Sequence, residues 1–407
     1  MKAIAIIVRI LLGATFIFSG FVKGIDPWGS TYKFIDYFTA FNMTWMHPAA
    51  FMLALLQNAA EFVIGVALVL GLRMKETAWG TGLFMVFFTI LTFIIALTDP
   101  VTDCGCFGDA LIITNWETFF KNIVLMVPTV IVFLYRKKYR PAYKPVAEWI
   151  WVTAITMIII GISIHCYRHL PWIDFRPYRI GSDIQQGMTV PEGMNSDEFS
   201  TLLYYEKDGV IEEFTLDNYP YNDTAWIWKE TKNILIKKGY IPPIKDFAII
   251  TDEGDIADIV LADEGYTFLL VAHRISKSNK QALQNAAEIA KYSEEHGHRF
   301  YCLTASPTSD VEQMKLDLGL EYEFCSTDEV TLKTIIRANP GLVLLHNGIV
   351  IGKWHYNDMP KLDELDPNLL SFALKQQAEK SKYFLIYGLL LAMIFFAFVF
   401  QQFRITE

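Results

Sequence analysis

Asp103-Cys104-Gly105-Cys106-Phe107-Gly108-Asp109 places two thiols one residue apart, in a polar loop between two long apolar runs. Such a pair can close on itself, exchange with a partner's sulfur, or supply half of a metal site. Gly105 between them best tolerates the tight backbone that closure needs. A bridge between such near neighbours is strained and easily reduced, which suits a reactive couple better than a structural staple. The alternative is a reduced loop with no chemistry. Asp99, Asp103 and Asp109 lie close by, and carboxylates disfavour a thiolate, so a raised thiol pKa is expected. The start of the next helix near Asn115 would offset this if its N-terminus points at the sulfurs.

Other chemistry-bearing residues are scattered. Gln57, Asn58 and Glu61 interrupt an apolar run, and an unpaired Glu61 would carry an insertion penalty of a few kcal/mol. Residues 57 and 61 share one helical face, which should point into a bundle. Counting from the cytoplasmic helix ends sets Glu61 roughly 8 Å deeper than Arg9, so an Arg9–Glu61 pair is the expected partner arrangement. A proton or quinone site at Glu61 is the functional alternative. His165, Cys166 and His169 close another apolar run. They read as headgroup-facing polar residues rather than metal ligands, because acidic or thiol partners cannot be placed beside them. Cys302 reads as a small core hydrophobe, Cys325 as partly exposed, and a bridge between the two stays open.

The elements that must position these groups are membrane helices. The chain has 407 residues, 53% hydrophobic and 19% charged, with a mean hydropathy of +0.28. That is too apolar for an ordinary soluble protein and too charged for membrane throughout. Six runs, near residues 4–22, 51–71, 79–98, 116–135, 149–166 and 383–403, reach the roughly 20 residues a bilayer requires. Between the fifth and sixth stands a polar region of about 215 residues, enough for a folded domain. Arg73 and Lys75 fill the second connection, and Arg136, Lys137, Lys138, Arg140 and Lys144 crowd the fourth. The loop with the two cysteines carries acidic residues instead. The excess of Lys and Arg marks cytoplasmic loops, so both termini are expected in the cytoplasm and residues 167–382 outside the cell (inner) membrane, where disulfides persist. Arg9 breaks the apolar core of the first run and no small-x-small site follows, so it reads as a retained helix rather than a cleaved signal. The aromatic stretch from Gly24 to Pro48, with a run 32–41 lying flat at the outer interface, reads as an anchor. The alternative is a lid over the cysteine loop.

At this point the residues resemble a family. Arg9-Ile-Leu-Leu-Gly13 with Phe16, Phe18-Ser19-Gly20 and Lys23 resembles the opening helix of DoxX-like membrane proteins. The Cys104-Gly-Cys106-Phe-Gly108 loop resembles that of their relatives, the methylamine-utilisation MauE proteins, and Glu61, Gly65 and Leu70-Gly71 add to the likeness. The resemblance covers roughly residues 1–140 and implies a four-helix membrane core engaged in extracytoplasmic redox or disulfide chemistry, with Cys104 and Cys106 as its working pair.

Beyond the fifth run, residues 174–241 form an exported α+β segment. Leu203–Phe214 reads as a hairpin around Asp208-Gly209, and Asp223–Gly239 as a short capped helix. Residues 242–365 read as strand (Tyr266–Ala272), helix (Ser278–His296), strand (Arg299–Thr304), helix (Glu312–Leu318), helix (Glu329–Arg337) and a hairpin around Asn347-Gly348. With Asn339-Pro340-Gly341 before the hairpin, this order resembles the thioredoxin-like fold, and implies a cis Pro340 beside a binding groove. The place where that family keeps its Cys-x-x-Cys reads Arg274-Ile-Ser-Lys-Ser278 here. No thiol is available there to attack a sulfur, so no redox activity is expected of this domain.

The expected architecture is therefore a six-helix membrane protein with a DoxX/MauE-like core and an extracytoplasmic α/β thioredoxin-like domain. A net charge of −9 without a basic stripe excludes nucleic acid as a partner. No internal repeat, phosphate loop or His-Glu-x-x-His pattern is present. The leading function is a membrane redox component whose Cys104 and Cys106 exchange electrons with a carrier protein or a membrane quinone. The alternative is a non-catalytic assembly protein that grips a client beside Pro340. A solute transporter has only Glu61 in its favour.

Overall fold

The computed structural model describes residues 2–139, 143–237, 239–365, 368–379 and 382. The sixth apolar run, 383–403, lies outside them. The helices are α1 (Lys2–Ile25), α2 (Pro27–Ala40), α3 (Ala50–Leu70), α4 (Met74–Thr98), α5 (Asn115–Tyr135) and α6 (Pro145–Arg168). All but α2 are long and apolar enough to cross a membrane, five spans among the described residues.

α1 and α3 run antiparallel and form the tightest pair in the bundle. A Cβ on Gly13 would lie 2.8 Å from the Gly65 carbonyl, and one on Gly20 only 2.5 Å from the Phe62 nitrogen. Small residues at these crossings let two backbones touch, which is how helices associate in lipid. That register decides which charges meet. Glu61 pairs with Lys23, not Arg9. Arg9 sits at the far end of α3, where its Nη2 donates to the Val69 carbonyl at 3.4 Å and its guanidinium lies 5.0 Å from the Tyr139 ring centre. Val69 is eight residues from Glu61, about 12 Å along a helix, beyond the reach of a side chain already engaged with the carbonyls of a helix end.

α2 begins at residue 27 rather than 32. Asp26 caps it by accepting from the Gly29 N–H at 2.9 Å, and Pro27 fills the first turn. A turn of 3-10 helix (Thr44–Ala49) then leads into α3.

After α6 and the short α7 (Ile184–Met188) come β1 (Glu198–Lys207), β2 (Val210–Thr215) and β3 (Ile227–Lys237), an antiparallel sheet in the order β2-β1-β3. The hairpin at Asp208-Gly209 is present, both residues having positive φ. The capped helix expected over Asp223–Gly239 is not. Ile227–Lys237 is a strand, because its alternating Thr231 and Asn233 pair with Leu203 and Thr201 across β1, and a period of two satisfies a sheet and not a helix.

The mixed α/β domain follows with β4 (Ile250–Thr251), β5 (Gly254–Asp255), α8 (Ala257–Leu261), β6 (Tyr266–Val271), α9 (Lys280–Glu295), β7 (Arg299–Thr304), α10 (Thr308–Leu318), β8 (Glu323–Ser326), α11 (Glu329–Ile335), β9 (Gly341–His346) and β10 (Ile349–His355). Its sheet runs β10-β9-β6-β7-β8-β4-β5, with β6, β7 and β8 parallel and β9 and β10 antiparallel. Apolar cores cover both faces, one around Leu269, Val271 and Val343, the other around Phe268, Leu270 and Leu342. Tyr178 and Ile184 join the first of these. The Asn339–Pro340 bond is cis. Cys302 and Cys325 are free and fully buried, which corrects the partly exposed Cys325 and removes the bridge. Cys302 stands opposite Phe324 and Cys325 opposite Leu303. This offset of one residue sends the two sulfurs to opposite faces of the sheet.

Candidate functional site

The cysteine loop is folded down onto the bundle by α1 and α2. Ser19 Oγ donates to the Cys106 carbonyl at 2.6 Å, and Tyr37 Oη to the Cys104 carbonyl at 2.7 Å. Lys33 Nζ meets Asp103 Oδ2 at 2.7 Å, while Asp103 Oδ1 accepts from the Gly105 N–H at 2.9 Å. Gly105 has φ +67, and a Cβ there would press on Lys33 at 3.0 Å, so both backbone and space call for glycine. Phe107 is buried, with Lys121 Nζ 4.4 Å from its ring centre. The result is that Cys104 Sγ and Cys106 Sγ face each other at 3.1 Å as free thiols. α2 thus covers the loop as well as lying beside the bundle, which favours the lid alternative over simple anchoring.

The acidic surroundings act differently from what the sequence suggests. Asp103 is matched by Lys33, Asp109 by Arg337, and Asp99 accepts from Asn115 Nδ2 at 2.8 Å. Thr114 and Glu117 cap the first turn of α5 between them. The charges left to act on the sulfurs are mainly cationic. The hydrogen bond from Cys104 pulls the Cys106 thiol down to about 6, burial opposing and Lys121 and Lys23 assisting. The same bond and burial push the Cys104 thiol well up. These shifts favour a thiolate at Cys106 with the proton held on Cys104.

Beneath the loop lies a cavity of about 580 Å³ that both cysteines line, together with Lys23, Glu61, Asn58 and Gln57. Its walls also include aromatic and aliphatic side chains of α4, among them Phe84, Phe88 and Leu91, and extend to Lys333 and Arg337 of the mixed domain. Asn58 donates through Nδ2 to the Lys23 carbonyl and to Ser30 Oγ, both at 3.0 Å. Arg9, expected beside Glu61, does not line this cavity.

The mixed domain is locked to the same place. Arg337, buried three residues before Pro340, reaches Asp26 at 3.0 Å and Asp109 of the cysteine loop at 2.7 Å. Its guanidinium and Lys333 both lie over the Tyr32 ring, at 5.4 and 4.8 Å, and Tyr32 Oη approaches His273 Nε2 at 3.4 Å. The surroundings of Pro340, including Arg274 and Ser278 hydrogen-bonded to Asn339, therefore sit against α2. Sequence reasoning missed Arg337, Asp26, Lys33 and Tyr37. Nothing in their local patterns marks them, because each acts on a residue at least 67 positions away. The rings of His165 and His169 stack at 4.5 Å and His169 Nδ1 pairs with Asp358 at 2.7 Å, yet among the described residues no group of three His, Cys, Asp or Glu is placed to hold a metal.

Fold and site together define a multi-pass helical membrane protein that presents a buried thiol pair to a mixed α/β domain. Residues 1–135 match the family model of methylamine utilisation protein MauE, which spans the five-element stretch from α1 through α5 and the whole cysteine loop. Residues 199–238, the three-stranded sheet, match a family described only as a domain of unknown function. No curated protein matches the chain.

Proposed function

We propose that this chain is a membrane thiol–disulfide redox protein working through Cys104 and Cys106. The observation that carries this reading is the facing of the two sulfurs at 3.1 Å. Cys106 is the more exposed of the two and is the thiolate, so it attacks a sulfur of a partner's disulfide. One partner sulfur leaves as thiolate and takes the Cys104 proton, and a mixed disulfide forms at Cys106. The Cys104 thiolate then attacks Cys106 Sγ, the second partner sulfur leaves as thiolate and is protonated from solvent, and the pair ends as a disulfide while the partner ends as a dithiol. Run backwards, the same steps oxidise a partner dithiol. Alkylation in intact membranes tests the reading: after oxidation both thiols should label only upon reduction, and a C104S/C106S variant should lose exchange. A double variant that behaves as wild type would sink it.

The reading places the cysteine loop and residues 167–382 outside the cytoplasm and both termini inside. The basic connections at Arg73 and Lys144 lie at the opposite end of the bundle from Cys106, which supports one sidedness for the loop and the mixed domain. A reporter active only in the cytoplasm, fused at residue 250, should be silent. We read the mixed domain as thioredoxin-like without redox chemistry of its own. Its strand order and the cis Asn339–Pro340 bond support the fold, and the absence of any cysteine from Arg274–Ser278 supports the inactivity. Because the face around Pro340 meets this chain's own α2, a docking role within the molecule is better supported than capture of a client.

A further inference from the structure

We infer that the cavity beneath the cysteine loop receives the head group of a membrane-borne quinone, which takes two electrons and one proton from the reduced Cys104–Cys106 pair and a second proton from solvent. This rests on the redox reading given above and adds the oxidant to it. The cavity lining has two unlike parts. Cys104, Cys106, Lys23, Glu61 and Asn58 supply polar groups, and Phe84, Phe87, Phe88 and Leu91 of α4 form an apolar wall. Phe87 is 61% exposed on the outside of α4, a membrane span, so the apolar wall stands at the lipid-facing side of the bundle. A volume of about 580 Å³ is in the range of small-molecule sites and far too small for a folded carrier protein.

Asn58 supplies a second, independent observation. It is only 1% exposed, its amide donates two hydrogen bonds through Nδ2, and its Oδ1 has no hydrogen-bond partner among the described residues. The Lys23 carbonyl can only accept, which fixes the amide's orientation. A buried acceptor without a donor costs about 1–3 kcal/mol, and a ligand hydroxyl would satisfy it. Lys23, paired with Glu61, keeps further N–H donors for a ligand carbonyl. One face of the site can thus hold a carbonyl oxygen and another a hydroxyl, the two states of a quinone oxygen.

The chemistry balances with the pair, the quinone and solvent protons. The Cys104 S–H bond breaks and one S–S bond forms between Cys104 Sγ and the Cys106 thiolate. The two electrons, the Cys104 proton and one proton returned from solvent, the one Cys106 gave up on ionising, appear as the two O–H bonds of the quinol. A soluble oxidant has no reason to prefer an apolar wall in the bilayer, whereas an isoprenoid tail does.

The test uses the full-length protein in detergent, with the pair first reduced and the reductant removed. Decylubiquinone is added without oxygen, and quinone loss and free thiols are followed together; oxidised glutathione serves as a water-soluble comparison. The expected result is one quinone reduced for every two thiols lost, with no reduction by C104S/C106S. Leu91→Trp, which crowds the cavity from its apolar wall, and Asn58→Leu, which removes the lone acceptor, should each lower the ratio of the quinone rate to the glutathione-disulfide rate at least tenfold. A wild-type pair that exchanges with oxidised glutathione but leaves decylubiquinone untouched would overturn the quinone site and leave the redox reading standing. Quinone reduction unchanged in both cavity variants would overturn the location. A pair inert toward both oxidants would overturn the redox reading, and the quinone site with it.

Discussion

Cys104 and Cys106 stand on one short loop and point at each other, with 3.1 Å between their sulfurs. Cys302 and Cys325 stand on adjacent parallel strands and point away from each other, into separate cores. Both pairs are largely withdrawn from solvent, yet their electrostatics diverge. Burial raises the Cys302 thiol far above its ordinary range and pushes Cys325 up to about 12, because nothing cationic meets either sulfur. Cys106 is held down to about 6 by its neighbour's S–H, with Lys121 and Lys23 behind it. Burial alone raises a thiol's pKa; burial beside a donor and two ammonium groups lowers it, which is the condition a reactive cysteine needs.

The comparison is most strongly tested by substitution. C104S or C106S alone should lower thiol–disulfide exchange more than about 100-fold, since one sulfur attacks and the other resolves. C302S and C325S should leave exchange at the wild-type rate, and a comparable loss in either would mean that the contrast is drawn between the wrong pairs.

Next in size is the tie between the mixed domain and the loop. Arg337→Ala leaves Asp26 and Asp109 facing each other without their cation, at an expected cost of about 2–4 kcal/mol. Thermal unfolding should fall, and protease should cut the chain near residues 170–180 before the bundle is attacked. Arg337→Lys should recover only part of this, because one ammonium cannot reproduce the forked contact with two carboxylates. An unchanged melting curve would remove Arg337 as the link.

A smaller effect concerns pH. Because the pKa of Cys106 is lowered, its thiolate persists at neutral pH and is lost as pH falls through about 6. Alkylation of reduced native protein should be flat above that value and drop tenfold per unit below it. In Cys104→Ala the profile should move to higher pH, since the S–H donor, the largest cause of the lowering, is gone. Cys302 and Cys325 should label only after unfolding. A Cys106 profile centred near the ordinary thiol value of about 8.5 would end the contrast with the core cysteines. The smallest effect is expected for Tyr37→Phe, which removes one hydrogen bond to the Cys104 carbonyl and should cost about 1 kcal/mol, read as faster hydrogen exchange in the loop.

The local facts of this protein were legible in the chain. Apolar runs long enough for lipid, the Asp208-Gly209 and Asn347-Gly348 turns, the buried strands around Phe268 and Leu303, and the spacing of Cys104 and Cys106 all follow from periodicity and backbone preference over a few residues. Ile227–Lys237 was misread because capping signs at its flanks outweighed a weak alternation that only pairing with β1 makes decisive. Which charges meet was a matter of tertiary structure. The glycines at 13, 20 and 65 set how deeply α1 and α3 interpenetrate, and that register gave Glu61 to Lys23 and sent Arg9 to the carbonyls at the other end of the helix. The pairing of Asp103 with Lys33 and of Asp109 with Arg337 reversed the field that the acidic loop promised. Electrostatic energy depends on distance in space, and spacing along the chain fixes that distance only within a helix turn or a hairpin.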